Sequence, residues 1–137
     1  MTGILVVTHA NLASTLIETL EFILGKEQEN LLPISIDIKE DPDKLRKKIK
    51  QGISKVMSDN GVLIFTDMFG GTPSNLAYSF LEEGKIEVIS GVNLPLLLKA
   101  VTARKKMNME ALTASLIEHG RRSISLASGI LKGTKRS

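Results

Sequence analysis

Residues 61–77 read GVLIFTDMFGGTPSNLA. After Gly61, residues 62–67 (VLIFTD) are apolar and β-branched, the composition of a strand buried on both faces. Gly70 and Gly71 then let the chain turn tightly. Thr72 and Pro73 open a helix predicted to run to about Glu83, where Gly84 ends it. Strand, tight loop and helix in so short a run form the unit of a parallel sheet, because a parallel neighbour is reached only by a crossover.

The same unit recurs on either side. Residues 3–8 (GILVVT) predict a buried strand, followed by a helix over 11–24 in which Leu12, Leu16, Leu20 and Leu24 recur at i+4 before Gly25. Residues 31–38 (LLPISIDI) predict a second strand, placed outermost by Pro33. Asp41 and Pro42 start a helix whose stripe is Leu45, Ile49, Ile53, Val56 and Met57. Residues 86–90 predict a fourth strand, 96–104 an apolar helix, and Asn108 caps another through His119. The alternation of Ser123, Ile124, Ser125 and Leu126 favours a short fifth strand over more helix. The expected fold is α/β: a doubly wound, mainly parallel four-stranded sheet with helices on both faces. One domain over 1–132 with a flexible tail at 133–137 is expected.

Composition narrows the chemistry. The chain has 137 residues, 42% of them apolar, and no Cys, so thiolate metal sites and cysteine nucleophiles are excluded. Its net charge is only +3. The basic residues Lys44, Arg46, Lys47, Lys48, Lys50 and Lys55 read as a solvated helix face, as do Arg104, Lys105 and Lys106. Aromatics for base stacking are too scarce to suggest a nucleic-acid surface. No segment approaches a bilayer span and no secretory leader pattern is present, so a cytoplasmic protein is expected.

In a doubly wound sheet, ligands sit beyond the carboxyl ends of the strands. Those ends carry Thr8 and His9, Ile38 and Lys39, Asp67 to Thr72, and Gly91 to Asn93. With the second strand at the edge, the first and third become neighbours, and His9 and Asp67 come within hydrogen-bonding reach. An Asp accepting from one imidazole nitrogen fixes the tautomer and frees the other nitrogen as a nucleophile. The Gly70–Gly71 turn and the helix start at Thr72 favour an anion, so a phosphoryl group fits there. Taken singly, a His after a strand or an Asp before a Gly-Gly turn is more often structural; the two together on neighbouring strand ends say more. His119, beside Glu118 and before Gly120, is explained as a cation at a helix C-terminus. Met68 and Phe69 read equally as loop packing or as a docking patch. Neither a Walker-type loop nor G-x-G-x-x-G follows the first strand, which points to a protein rather than a nucleotide as phosphoryl donor.

GILVVTH with Leu12 and Ala13, GVLIFTDMFGGTPSNLA at 61–77 and VISGVNLPLL at 88–97 resemble, in order and spacing, the enzyme IIA domains of the mannose family of the bacterial sugar phosphotransferase system. The resemblance covers nearly the whole chain. It implies that His9 takes a phosphoryl group from phospho-HPr on Nε2 and passes it to a histidine of a cognate IIB protein. It further implies that Asp67 orients the ring from Nδ1, and that Gly71 and Thr72 lie against the phosphoryl oxygens. No metal or cofactor is implied, and the membrane enters only through a permease complex. Family members are homodimers that exchange a C-terminal antiparallel strand, which would be the role of residues 122–127. Two departures stand out: many relatives have Gly where this chain has Ala10, and many are fused to a IIB domain.

Three other readings compete. A phosphotransfer subunit serving dihydroxyacetone kinase shares the fold, but its loop after the third strand differs from DMFGGTP. A regulatory module would use phosphorylation of His9 to change binding partners without transport. A flavodoxin-like or receiver-like domain would use the same crevice for a cofactor or an aspartyl phosphate, but receiver chemistry needs an acidic cluster at the first strand end, where this chain has Thr8 and His9.

Overall fold

A computed structural model of the chain describes residues 1–132; the tail expected at 133–137 lies outside the described residues. The elements in chain order are β1 (Gly3–His9), α1 (Leu12–Leu24), β2 (Leu31–Ile36), α2 (Pro42–Val56), β3 (Val62–Thr66), α3 (Thr72–Tyr78), β4 (Ile86–Ser90), α4 (Leu94–Ala103), α5 (Met109–Arg122) and α6 (Ala127–Leu131). The four strands are all parallel and ordered β2-β1-β3-β4. Pro33, which has no N–H to donate, therefore sits in an edge strand.

β1 and β3 are central, and alternation sends their side chains to two cores. Ile4, Val6, Leu63 and Phe65 pack against α1, α4 and α5. Leu5, Val7, Val62 and Ile64 pack on the other face, against α2 and α3. Each such side chain, taken wholly out of water, contributes roughly 1.5–3 kcal/mol, so these two strands are the most firmly held part of the molecule. β1 is followed by a helix on one face and β3 by a helix on the other. Their carboxyl ends, side by side, thus border the crevice where the crossovers part.

Several boundaries differ from the sequence reading. β2 stops at Ile36, because Asp37 turns the chain by accepting from the Lys39 and Glu40 amides. The third helix ends at Tyr78, not near Glu83. Beyond it Glu82 and Ile86 exchange backbone hydrogen bonds of 3.1 and 2.8 Å around Gly84, and this pairing into the start of β4 displaces further helix. No fifth strand forms among the described residues: α5 runs on through Gly120 to Arg122, and residues 124–126 lead into α6 without sheet pairing. Gly120 faces Leu96 of α4 at close range, so helix packing holds this stretch where the local pattern suggested a stop.

Arg104, read from sequence as a surface cation, is 2% exposed. Its Nη1 donates to the carbonyls of Thr2 and Asn30 at 3.2 and 3.0 Å, and its Nη2 to that of Glu29 at 2.6 Å. Burial pushes its pKa down, partly offset by the charge of Glu29. The side chain ties the end of α4 to the beginnings of β1 and β2.

Candidate functional site

His9 ends β1 and Asp67 follows β3, so sheet register alone brings the two residues together. Asp67 Oδ2 accepts from the His9 backbone N–H at 2.9 Å and meets Nδ1 of the same residue at 2.7 Å. Its Oδ1 accepts from the Met68 N–H at 2.9 Å. Burial pushes the Asp67 carboxyl upward, but the hydrogen bonds and charge of His9, with the Met68 amide, outweigh it and hold the pKa below the ordinary carboxylate value. An ionised carboxylate only accepts, so the proton between the two side chains belongs to Nδ1, and a neutral ring carries its lone pair on Nε2.

The far edge of the ring faces Gly71. A Cβ there would stand 3.0 Å from Cε1 and 3.6 Å from Nε2. Gly71 has an ordinary φ of −82°, so what this position requires is space beside the nucleophilic nitrogen. The cap of α3 is Gly71, and Thr72, which the sequence reading makes the cap, is the first helical residue and exposed. The Thr72 side chain makes no capping bond.

The β1–α1 turn is fixed by Thr8, fully buried, whose hydroxyl accepts from the Ala13 N–H at 2.8 Å and so caps α1 in place of Asn11. Ala10 takes up the reversal with φ +50°, a left-handed conformation that Gly would adopt without strain. The His9 side chain is 38% exposed. Met68 and Phe69 project beside it at 56% and 79% exposure. On its other flank is an open hollow of about 510 Å³ lined by Ile36, Ile38, Glu40 and Lys48. Ile38 falls here as the sequence places it, at the end of the second strand segment, whereas Lys48 reads in the sequence only as part of a solvated helix face, because its place on this rim depends on how β2 and α2 meet. His119, in the last turn of α5, takes no part in this cluster.

Residues 3–117 match the family model described as the PTS system fructose IIA component, of the EIIA-man type. The chain belongs to this family. Its defining activity is a histidine phosphoryl relay from HPr to IIB, and its members are phosphotransferases. Over 136 residues the chain is 29% identical to the PTS system fructose-specific EIIA component of Bacillus subtilis, covering 98% of this chain and 92% of the relative. It is 34% identical over 124 residues to the mannose-specific EIIAB component of Escherichia coli K12, covering 89% of this chain and 38% of that longer protein. The crystal structure of phosphotransferase system component EIIA from Streptococcus agalactiae superposes with a TM-score of 0.83 at 27% identity, covering 93% of this chain and 98% of that one. The mannose-family resemblance drawn from the three motifs is thereby established.

Proposed function

We propose that His9 is the residue through which this EIIA phosphocarrier works, taking a phosphoryl group from phospho-HPr and giving it to a histidine of a cognate IIB protein. The observation that carries this reading is the 2.7 Å contact between Nδ1 and Asp67, which leaves Nε2 as the free nitrogen beside Gly71.

In the transfer the Nε2 lone pair attacks phosphorus, and the bond from phosphorus to the donor imidazole breaks, its electron pair returning to that ring. The Nδ1 proton stays on His9, and Asp67 offsets the positive charge the ring gains. Asp67 orients and does not itself react. The phosphoryl oxygens lie against the Gly71 backbone and the Thr72 hydroxyl, where the absence of a Cβ leaves them room. Reversal of the same step delivers the group to IIB, and the loose transition state asks for in-line positioning more than for acid chemistry.

The exposed Met68 and Phe69 on one flank of His9, and Ile38 on the other, form an apolar rim suited to docking the partner proteins. We extend the reading to a cytoplasmic homodimer. Among the described residues no helix is long and apolar enough to cross a membrane. The outer edge of β4 is unpaired among the described strands, and Ile124, Leu126 and Leu131 are 82%, 76% and 85% exposed. A second copy covering them would blunt an open edge; exchange of a C-terminal strand is the form the resemblance implies.

The decisive experiment incubates the chain with enzyme I, HPr and phosphoenolpyruvate, then measures intact mass before and after brief acid treatment. A single acid-labile phosphoryl adduct is expected on His9 and none on His9→Ala. An adduct on His9→Ala, or none on the parent while HPr itself is phosphorylated, overturns the assignment. Light scattering of the same sample gives the oligomeric state, and a monomer at micromolar concentration removes the dimer.

A further inference from the structure

Behind the loop that carries Asp67 lie four hydroxyls from three elements. Thr66, at the end of β3, and Ser74, in α3, are fully buried. Thr66 Oγ1 is 2.6 Å from Ser74 Oγ and donates to Ser90 Oγ, at the end of β4, at 2.9 Å. Tyr78, one turn on from Ser74, reaches Ser90 Oγ with its hydroxyl at 2.8 Å. Ser74 Oγ donates to the carbonyl oxygen of Met68. Since a serine has one proton to give, Ser74 accepts in its contact with Thr66, and Thr66 shares its proton between the two serines.

The group these hydroxyls hold is the residue next to Asp67. The Met68 N–H is taken by Asp67 Oδ1 and the Met68 carbonyl by Ser74, so its backbone is clamped from both sides. The carboxylate that binds Met68 through one oxygen binds His9 through the other. Tyr78 supports the same loop from outside, its ring 6.0 Å from that of exposed Phe69. A cluster of this kind, with Thr66 and Ser74 buried and Tyr78 and Ser90 half-buried, is expensive to leave half satisfied and rigid when complete.

We infer that Ser74, backed by Thr66, Ser90 and Tyr78, is a positioning residue for phosphoryl transfer, setting the orientation of Asp67 on His9 through the Met68 carbonyl. The inference rests on His9 as the phosphoryl acceptor. The Ser74 hydroxyl bonds to Thr66, Ser90 and the Met68 carbonyl and not to His9, so its influence passes through Met68 and Asp67. Loss of its hydroxyl frees the Met68 carbonyl, loosens the Met68 amide from Oδ1, and lets the carboxylate turn away from Nδ1.

The test is a double-mutant cycle of Ser74→Ala with Asp67→Asn, read by single-turnover transfer from phospho-HPr and by nitrogen-15 NMR of the His9 ring. Alanine fits wherever serine does, so folding is expected to hold. Ser74→Ala is expected to slow transfer about fivefold in the parent, the effect of losing one hydrogen bond. In the Asp67→Asn background the further loss should be under twofold, since the route is already cut. The ring nitrogen signals should move toward a mixture of tautomers in Ser74→Ala before any phosphoryl donor is added. Equal slowing in both backgrounds, or a lower melting temperature with unchanged rate and ring signals, overturns the inference. Should Ser74→Ala fail to fold, Ser90→Ala makes the same test from the far side of the cluster, with the same two criteria at about half the size. The ring signals are read without donor, so they remain decisive if the parent is never phosphorylated, a result that would instead defeat the proposed function.

Discussion

Replacing Asp67 by Asn probes the site most sharply, because the substitution keeps shape and removes charge. Asp67 Oδ2 receives two donors from His9, at 2.9 and 2.7 Å, and Oδ1 receives one from Met68 at 2.9 Å. An amide can satisfy only one side. With its oxygen toward His9 both of those bonds survive and its NH₂ opposes the Met68 N–H. With its NH₂ toward His9, Nδ1 must accept, the ring proton moves to Nε2, and the nucleophile is lost. The first placement is better, so the fold and the tautomer are retained while the charge-assisted part of the bond disappears. Hydrogen bonds to charged groups are worth about 1.5–3 kcal/mol. His9 is 38% exposed, so solvent screening favours the low end of that range. A loss of about 1.5 kcal/mol corresponds to roughly tenfold slower transfer. Rapid-quench measurement of a single turnover from phospho-HPr, with circular dichroism to verify the fold, reads it directly. A rate within twofold of the parent would refute the orienting role. A loss beyond about a thousandfold in a folded protein would mean that Asp67 does more than orient.

The pH dependence of stability follows from the same carboxylate. Its folded pKa lies below the ordinary 3.8, so its contribution is complete above that value and is lost as pH falls through the folded pKa. The urea midpoint difference between the parent and Asp67→Asn should therefore shrink as pH falls below about 4; a difference that persists undiminished down to about pH 2 contradicts the assignment. Ala10 sits at φ +50°, and Ala10→Gly should leave stability within about 0.5 kcal/mol, relief of strain being offset by the greater freedom of Gly in the unfolded chain. Ala10→Val should cost more than about 1 kcal/mol in the same denaturation assay, and equal midpoints for the two would exclude the strained turn. Arg104→Ala strips donors from three backbone carbonyls and should cost about 3 kcal/mol. Transfer by the folded fraction should be unchanged, since these contacts lie at the opposite end of β1 from His9; a midpoint shift equivalent to under about 1 kcal/mol would show that the buried guanidinium is dispensable.

The alternation of apolar strands with capped, striped helices was legible in the linear pattern because each element announces itself within a few residues. Leu12, Leu16, Leu20 and Leu24 mark a helix, Gly25 ends it in the left-handed conformation, and Pro33 marks the sheet edge. Strand order followed from that edge, and with it the prospect that His9 and Asp67 would meet. Three matters were settled only in three dimensions. Residues 123–126 alternate like a strand, yet a strand requires a partner, and the packing of α5 on α4 carries helix through Gly120 to Arg122. Arg104 looks like its neighbours Lys105 and Lys106, and only the convergence of three carbonyls makes it a buried tie. The cluster of Thr66, Ser74, Tyr78 and Ser90 is silent in the sequence because hydroxyls have no periodicity of their own. Its members meet because β3 and β4 end, and α3 begins, at the same rim of the sheet, where long-range packing places them and local chain chemistry does not.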